Sequence, residues 1–113
     1  ARRVAWGKFL NGGQTCIAPD YLLLHASVRE KFYKAFAKSV KSFYGNNPQD
    51  SVDFPRIIND KHFKRLASML QDGTIIVGGK TDAESRYIAP TLIELDTFEH
   101  PLMQDEIFGP ICR

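Results

Sequence analysis

"YLLLHASVREKFYKAF", residues 21–36, joins two kinds of apolar pattern end to end. Leu22, Leu23 and Leu24 form a continuous apolar run. Such a run suits a strand covered on both faces, as in a parallel sheet, so a buried strand is expected over residues 21–26. Ser27 and Glu30 then match the S-x-x-E capping box, in which each side chain satisfies a free backbone donor at the helix start. Val28, Phe32, Ala35, Phe36, Val40 and Phe43 follow at helical spacing, with Lys31, Lys34, Lys38 and Lys41 facing elsewhere and Gly45 as the stop. The lysines read as a solvated helix face.

Upstream, "ARRVAWGKFL" places Val4, Ala5, Trp6, Phe9 and Leu10 near one face of a helix that Gly12-Gly13 ends. Downstream, "NNPQDSVDFP" reads as a loop, and a helix starting near Asn59 or Asp60 carries Phe63, Leu66, Ala67 and Leu70 as its stripe until Gly73. "TIIV" is a second apolar strand turned by Gly78-Gly79. "RYIAPTLIEL" is a third, with Pro90 marking an irregularity or an edge. Strands alternating with amphipathic helices predict the α/β class, with a sheet covered on its faces.

At 113 residues the chain holds one core, and eight Phe and four Tyr give it a globular composition. Fifteen Lys and Arg against 13 Asp and Glu leave a net charge of only +2, with no block that would track a nucleic acid. No apolar run reaches the ~20 residues that span a bilayer, and no signal peptide follows Arg2-Arg3. Two cysteines without a cysteine-rich pattern fit a reducing, intracellular compartment. The chain begins within a helical pattern and stops after "GPICR", so it is expected to be an internal piece of a longer protein.

Cys16 stands in "FLNGGQTCIAPDY", beyond a helix end and behind two glycines that allow close backbone approach. A lone cysteine is more often a small buried hydrophobe than a nucleophile, but this position is where an α/β protein presents functional groups. His25, His62 and His100 make no ligand spacing with the cysteines, and no metal site is expected. Gly78-Gly79-Lys80 lacks the phosphate-loop spacing, and no G-x-G-x-x-G occurs. "MQDEIFGPI" sets Glu106 and Phe108 directly before a Gly-Pro turn; alone, it would be an ordinary loop.

Together these stretches resemble the aldehyde dehydrogenase superfamily, specifically its class 3 branch of aromatic, medium-chain and fatty aldehyde enzymes. "RRVAWGKFLNGGQTCIAPDY" resembles the family's active-site cysteine segment, "FYG" with "RIINDKHFKRL" its following helices, "GGKTDAESRYIAPTL" its next strand region and "MQDEIFGPI" its E-x-F-G-P motif. The resemblance covers essentially the whole chain in order. It implies part of a doubly wound, mostly parallel sheet with helices on both faces. Residues 1–113 would then be a partial catalytic domain without the cofactor-binding and oligomerisation regions.

The same resemblance implies Cys16 as the catalytic nucleophile, Glu106 as the carboxylate that holds the nicotinamide ribose hydroxyls, and Phe108 as the aromatic beside the nicotinamide. It implies NAD or NADP as cofactor and an aromatic or medium- to long-chain aldehyde as substrate. The parent would be a homodimer in the cytoplasm, or on the cytoplasmic face of a membrane if it carries a C-terminal anchor. The general-base Glu and the oxyanion Asn of the family have no counterpart here, so residues 1–113 alone are expected to lack turnover. Asp105 stands where many relatives carry Glu, which leaves the motif intact. The competing readings are a non-catalytic module of the same fold and an enzyme applying thioester chemistry to acyl phosphates or semialdehydes.

Overall fold

The computed structural model describes residues 1–71 and 73–113. Helix α1, Arg2–Phe9, leads into a 3₁₀ turn, Leu10–Gly13. Helix α2, Arg29–Tyr44, and helix α3, Asp60–Met69, come next, then strands β1 (Thr74–Val77), β2 (Thr81–Asp82), β3 (Tyr87–Ile88), β4 (Thr91–Glu94) and β5 (Ile111–Cys112). The main sheet has the order β1-β4-β5, with β1 antiparallel and β5 parallel to β4. Strands β2 and β3 form a separate antiparallel ribbon.

Alternation along two strands sorts the core onto the two faces of this sheet. Leu92 and Cys112 join Ala5, Phe9, Phe36, Val40, Phe54 and Tyr87 on the side of α1 and α2. Their neighbours Ile93 and Ile111 join Phe63, Leu66, Leu70, Leu102 and Ile107 on the side of α3. Both faces therefore carry helices, and the fold is α/β as the sequence predicts, with a mixed sheet. Edge-to-face rings, Phe9 on Phe36 at 5.6 Å and Tyr44 on Phe54 at 4.9 Å, tie the first cluster together.

Local signals fixed several boundaries. Asn59 caps α3 by accepting the His62 N–H at 2.9 Å, and Gly45 closes α2. Pro90 splits "RYIAPTLIEL" into β3 and β4, which belong to different sheets.

Four expectations need correction. Residues 21–26 do not form a covered strand: Leu23 is 71% and Tyr21 52% exposed. One parallel-type step is made, the Leu22 N–H donating to the Arg113 C=O at 2.8 Å and the Arg113 N–H to the Asp20 C=O at 3.3 Å. Apolarity supplies a preference for burial, but a ladder also needs partner backbone, and among the described residues only Arg113 supplies it here. The Ser27–Glu30 capping box is replaced by His25, whose Nδ1 accepts the Ser27 N–H at 3.3 Å ahead of a short 3₁₀ turn. Helix α3 ends at Met69 rather than at Gly73, which instead lets the chain pass close to the Glu94 carbonyl and the Leu95 side chain. Trp6 and Leu10 are exposed, whereas Lys8 is completely buried.

Candidate active site

Cys16 is exposed in the turn that follows α1, while Cys112 is buried in β5. The turn is built from the chain before it. Asn11 at φ 53° and Gly12 and Gly13 at φ 63° and 71° reverse the backbone at the helix end. The Ala18 N–H donates to the Thr15 C=O at 3.3 Å and closes the turn around Cys16. Gln14 then anchors it: its Nε2 donates to the Asn11 and Arg56 carbonyls, each at 3.2 Å, and its Oε1 accepts the Ile58 N–H at 3.0 Å. A single amide thus bonds the cysteine turn to the segment ahead of α3, leaving the Cys16 side chain facing outward.

Glu106 and Phe108 lie on a second turn and are exposed on either side of the buried Ile107. Its backbone is gripped by charged side chains. Arg113 Nη1 donates to the Asp105 C=O at 3.0 Å, the Ile107 N–H donates to Asp20 Oδ1 at 3.2 Å, and Arg65 Nη2 donates to the Ile107 C=O at 2.8 Å. Phe108 itself has φ 49°, an uncommon conformation for a bulky side chain.

The two turns meet at a glycine pair. A Cβ on Gly13 would overlap the carbonyl oxygen of Gly109, and a Cβ on Gly109 would lie 2.5 Å from Leu66 Cδ2 on α3. Bare backbone at Gly13 permits the approach of the two turns, and bare backbone at Gly109 permits the second turn to pack on Leu66 of α3. The structure therefore brings the loop of Cys16 against the loop of Glu106 and Phe108, across 90 residues of chain (106 − 16).

Asp20 is the electrostatic hub beneath the second turn. Its Oδ2 accepts Arg113 Nη2 at 2.7 Å, and Lys8 Nζ stands 3.5 Å from Oδ1, an ion pair too long to be a strong hydrogen bond. Burial pushes the Lys8 ammonium below its ordinary range, against the pull of nearby Cys112 and Asp20. Burial likewise pushes the Cys112 thiol up to about 11, with Lys8 opposing. Lys8, Asp20, Arg65 and Arg113 are absent from the sequence-based candidates. Lys8 alone carried a signal, standing three residues after Ala5 and four after Val4 on the apolar side of α1. The histidines have structural roles at two positions: His25 caps as described, and His100 Nδ1 accepts the Leu102 N–H at 3.1 Å.

This arrangement, an exposed cysteine docked beside a Glu-x-Phe-Gly-Pro turn in an α/β sheet, belongs to the aldehyde dehydrogenase family, whose sequence model matches residues 1–113. The chain is 50% identical over 111 residues to mouse aldehyde dehydrogenase family 3 member B2, covering 98% of this chain and 23% of that protein. It is 49% identical over 111 residues to the rat dimeric NADP-preferring aldehyde dehydrogenase, covering 97% of this chain and 24% of that protein. A substrate-bound structure of Staphylococcus aureus AldH superposes with a TM-score of 0.94 at 47% identity, over 98% of this chain and 25% of that one. The chain spans about a quarter of the length of these relatives, and the class 3 resemblance is met by relatives named as family 3 members.

Proposed function

We propose that the full-length protein oxidises an aldehyde to a carboxylic acid with NAD or NADP, through a thiohemiacetal and then a thioester on Cys16. The observation that carries this reading is the docking of the exposed Cys16 turn on the Glu106–Phe108 turn through Gly13 and Gly109. A sulfur nucleophile suits the chemistry: attack of the Cys16 thiolate on the aldehyde carbon forms the C–S bond and an oxyanion. Loss of hydride from that carbon leaves a thioester, and water releases the acid and restores the thiol. When bound, the nicotinamide supplies the hydride acceptor. Glu106 and Phe108 fit that group: an outward carboxylate can accept two ribose hydroxyls, and an outward ring can flank a planar heterocycle. Glu106 orients, Phe108 packs, and the backbone beneath them is held in place by Asp20, Arg65 and Arg113.

The rat relative is named dimeric and NADP-preferring, which supports a homodimer and a nicotinamide cofactor here. An aromatic or medium- to long-chain aliphatic aldehyde is the proposed substrate. Residues 1–113 are proposed as one part of the catalytic domain, with the cofactor-binding and oligomerisation regions supplied elsewhere in the parent. No helix among the described residues is long and apolar enough to cross a membrane. A cytoplasmic enzyme, with or without a membrane anchor elsewhere, is the corresponding proposal for location.

Thiol labelling tests the assignment. Iodoacetamide at neutral pH should modify Cys16 in the full-length protein well before Cys112, and aldehyde oxidation should fall in step with Cys16 modification. Cys112 should resist because it is buried and its thiol stays protonated up to about 11. The same shift has a stability sign: between its ordinary 9.0 and about 11, the native state holds a proton that the unfolded state has lost. That contribution is complete below 9.0 and declines as pH rises through this window. Isolated residues 1–113, assayed alongside, should yield no NAD(P)H. Faster labelling of Cys112, or full activity with Cys16 blocked, would overturn the assignment.

A further inference from the structure

We infer that Arg65 is a positioning residue for hydride transfer: its hydrogen bond to the Ile107 carbonyl fixes the peptide that aims Phe108. This rests on the reading of Glu106 and Phe108 as the cofactor-facing pair. Phe108, with its φ of 49°, sits where a bulky side chain settles only under outside constraint. Rotation of the Ile107–Phe108 peptide plane is the motion that would release it, and that motion swings the Ile107 carbonyl. Arg65 Nη2 holds that carbonyl at 2.8 Å.

The other contacts of Ile107 do not resist the same rotation. Its N–H, bonded to Asp20 Oδ1 at 3.2 Å, belongs to the preceding peptide, and its side chain is simply buried. Arg65 is well placed for the task. It stands on α3 between the buried Phe63 and Leu66, and Leu66 is the side chain against which Gly109 is fitted. One helix therefore holds the carbonyl before Phe108 and the glycine after it. Arg65 does not touch the proposed reacting atoms; it acts through the backbone of the turn.

The competing role is purely structural, with Arg65 satisfying a carbonyl and nothing more. The two roles separate in the full-length enzyme with R65M, R65K and E106Q measured in parallel. R65M is expected to slow pre-steady-state NAD(P)H formation by roughly 10- to 100-fold, the scale of a small misplacement of reacting groups. It should also raise the isotope effect seen with a deuterated aldehyde. Iodoacetamide labelling of Cys16 and the KM for aldehyde should stay at wild-type values, and R65K, which keeps a donor, should recover much of the rate. A wild-type isotope effect in R65M, with rate lost only as folded protein is lost, would overturn the inference. So would an R65K variant as slow as R65M. If R65M does not accumulate in folded form, R65L, which likewise lacks a donor, takes its place under the same criteria. Slowed hydride transfer in E106Q beside an unaffected R65M refutes the role of Arg65 alone. Unaffected hydride transfer in both refutes the reading of the turn on which it rests.

Discussion

Gly13→Ala is expected to destabilise the folded chain and to cost the full-length enzyme most of its aldehyde oxidation. Two effects combine. Gly13 has φ 71°, and an L-residue in the left-handed region costs about 1–2 kcal/mol. The new Cβ would also overlap the Gly109 carbonyl oxygen and lie 3.0 Å from the Lys8 carbonyl oxygen, both of them backbone atoms with little freedom to yield. Overpacking of this kind adds about 1–3 kcal/mol. Gly12→Ala is the matched control, because Gly12 has a similar φ of 63° but its Cβ would meet side-chain rather than backbone atoms, Pro55 Cγ at 3.2 Å and Gln14 Nε2 at 3.4 Å. Urea midpoints and initial rates of both variants isolate the docking contact. Gly13→Ala should lie well below Gly12→Ala in both measurements, and equal losses would mean that the meeting of the two turns is energetically unimportant.

The second large effect is expected at Glu106. Glu106→Gln preserves shape but would replace the proposed charge-assisted hydrogen bonds to two hydroxyls, each worth about 1.5–3 kcal/mol, with neutral ones of about half the strength. At about 1.4 kcal/mol per tenfold, the hydride-transfer step should slow by roughly tenfold or more. Cys16 labelling should persist, since attack on the aldehyde does not use Glu106, and a deuterated aldehyde should show a larger isotope effect than in the wild type. Solvated loop acids behave otherwise, with surface substitutions usually staying within about 0.5 kcal/mol. Unaltered pre-steady-state NAD(P)H formation in the variant would return Glu106 to that class.

The parts of this fold that were legible in the sequence are those decided locally. The start of α3 near Asn59 or Asp60, Gly45 as a stop, Thr74–Val77 as a strand and Pro90 as a break each depend on a few neighbouring residues. Residues 21–26 failed because strand formation depends on a distant partner, and among the described residues only Arg113 pairs there. At the start of α2 the expected Ser27 cap is not made, because a short 3₁₀ turn, Ala26–Val28, capped by His25, precedes the helix. Lys8 was missed because a lysine is ordinarily solvated, and its burial becomes intelligible only once Asp20 is seen beside it.

The candidate site divides along the same line. Cys16, Glu106 and Phe108 were visible as residue types in motifs, and their roles came from family resemblance. What holds them was not visible, because its partners lie far apart in the chain: 42 residues for Arg65 and Ile107, 87 for Asp20 and Ile107, and 93 for Asp20 and Arg113. No spacing rule connects such pairs. The docking of Gly13 on Gly109 is likewise a tertiary contact, although the glycines themselves stood out beside the cysteine.

The central claim is that the carbon of the aldehyde becomes bonded to Cys16. Rapid acid quenching of the full-length enzyme during turnover, followed by peptide mass spectrometry, tests it directly. The expected result is an acyl group, with the mass of the oxidised substrate less hydroxyl, on the peptide containing Cys16. It should appear only when both aldehyde and NAD(P)+ are present and should vanish as hydrolysis completes. Acylation at Cys112, or steady aldehyde oxidation with Cys16 unmodified at every quench time, would contradict it.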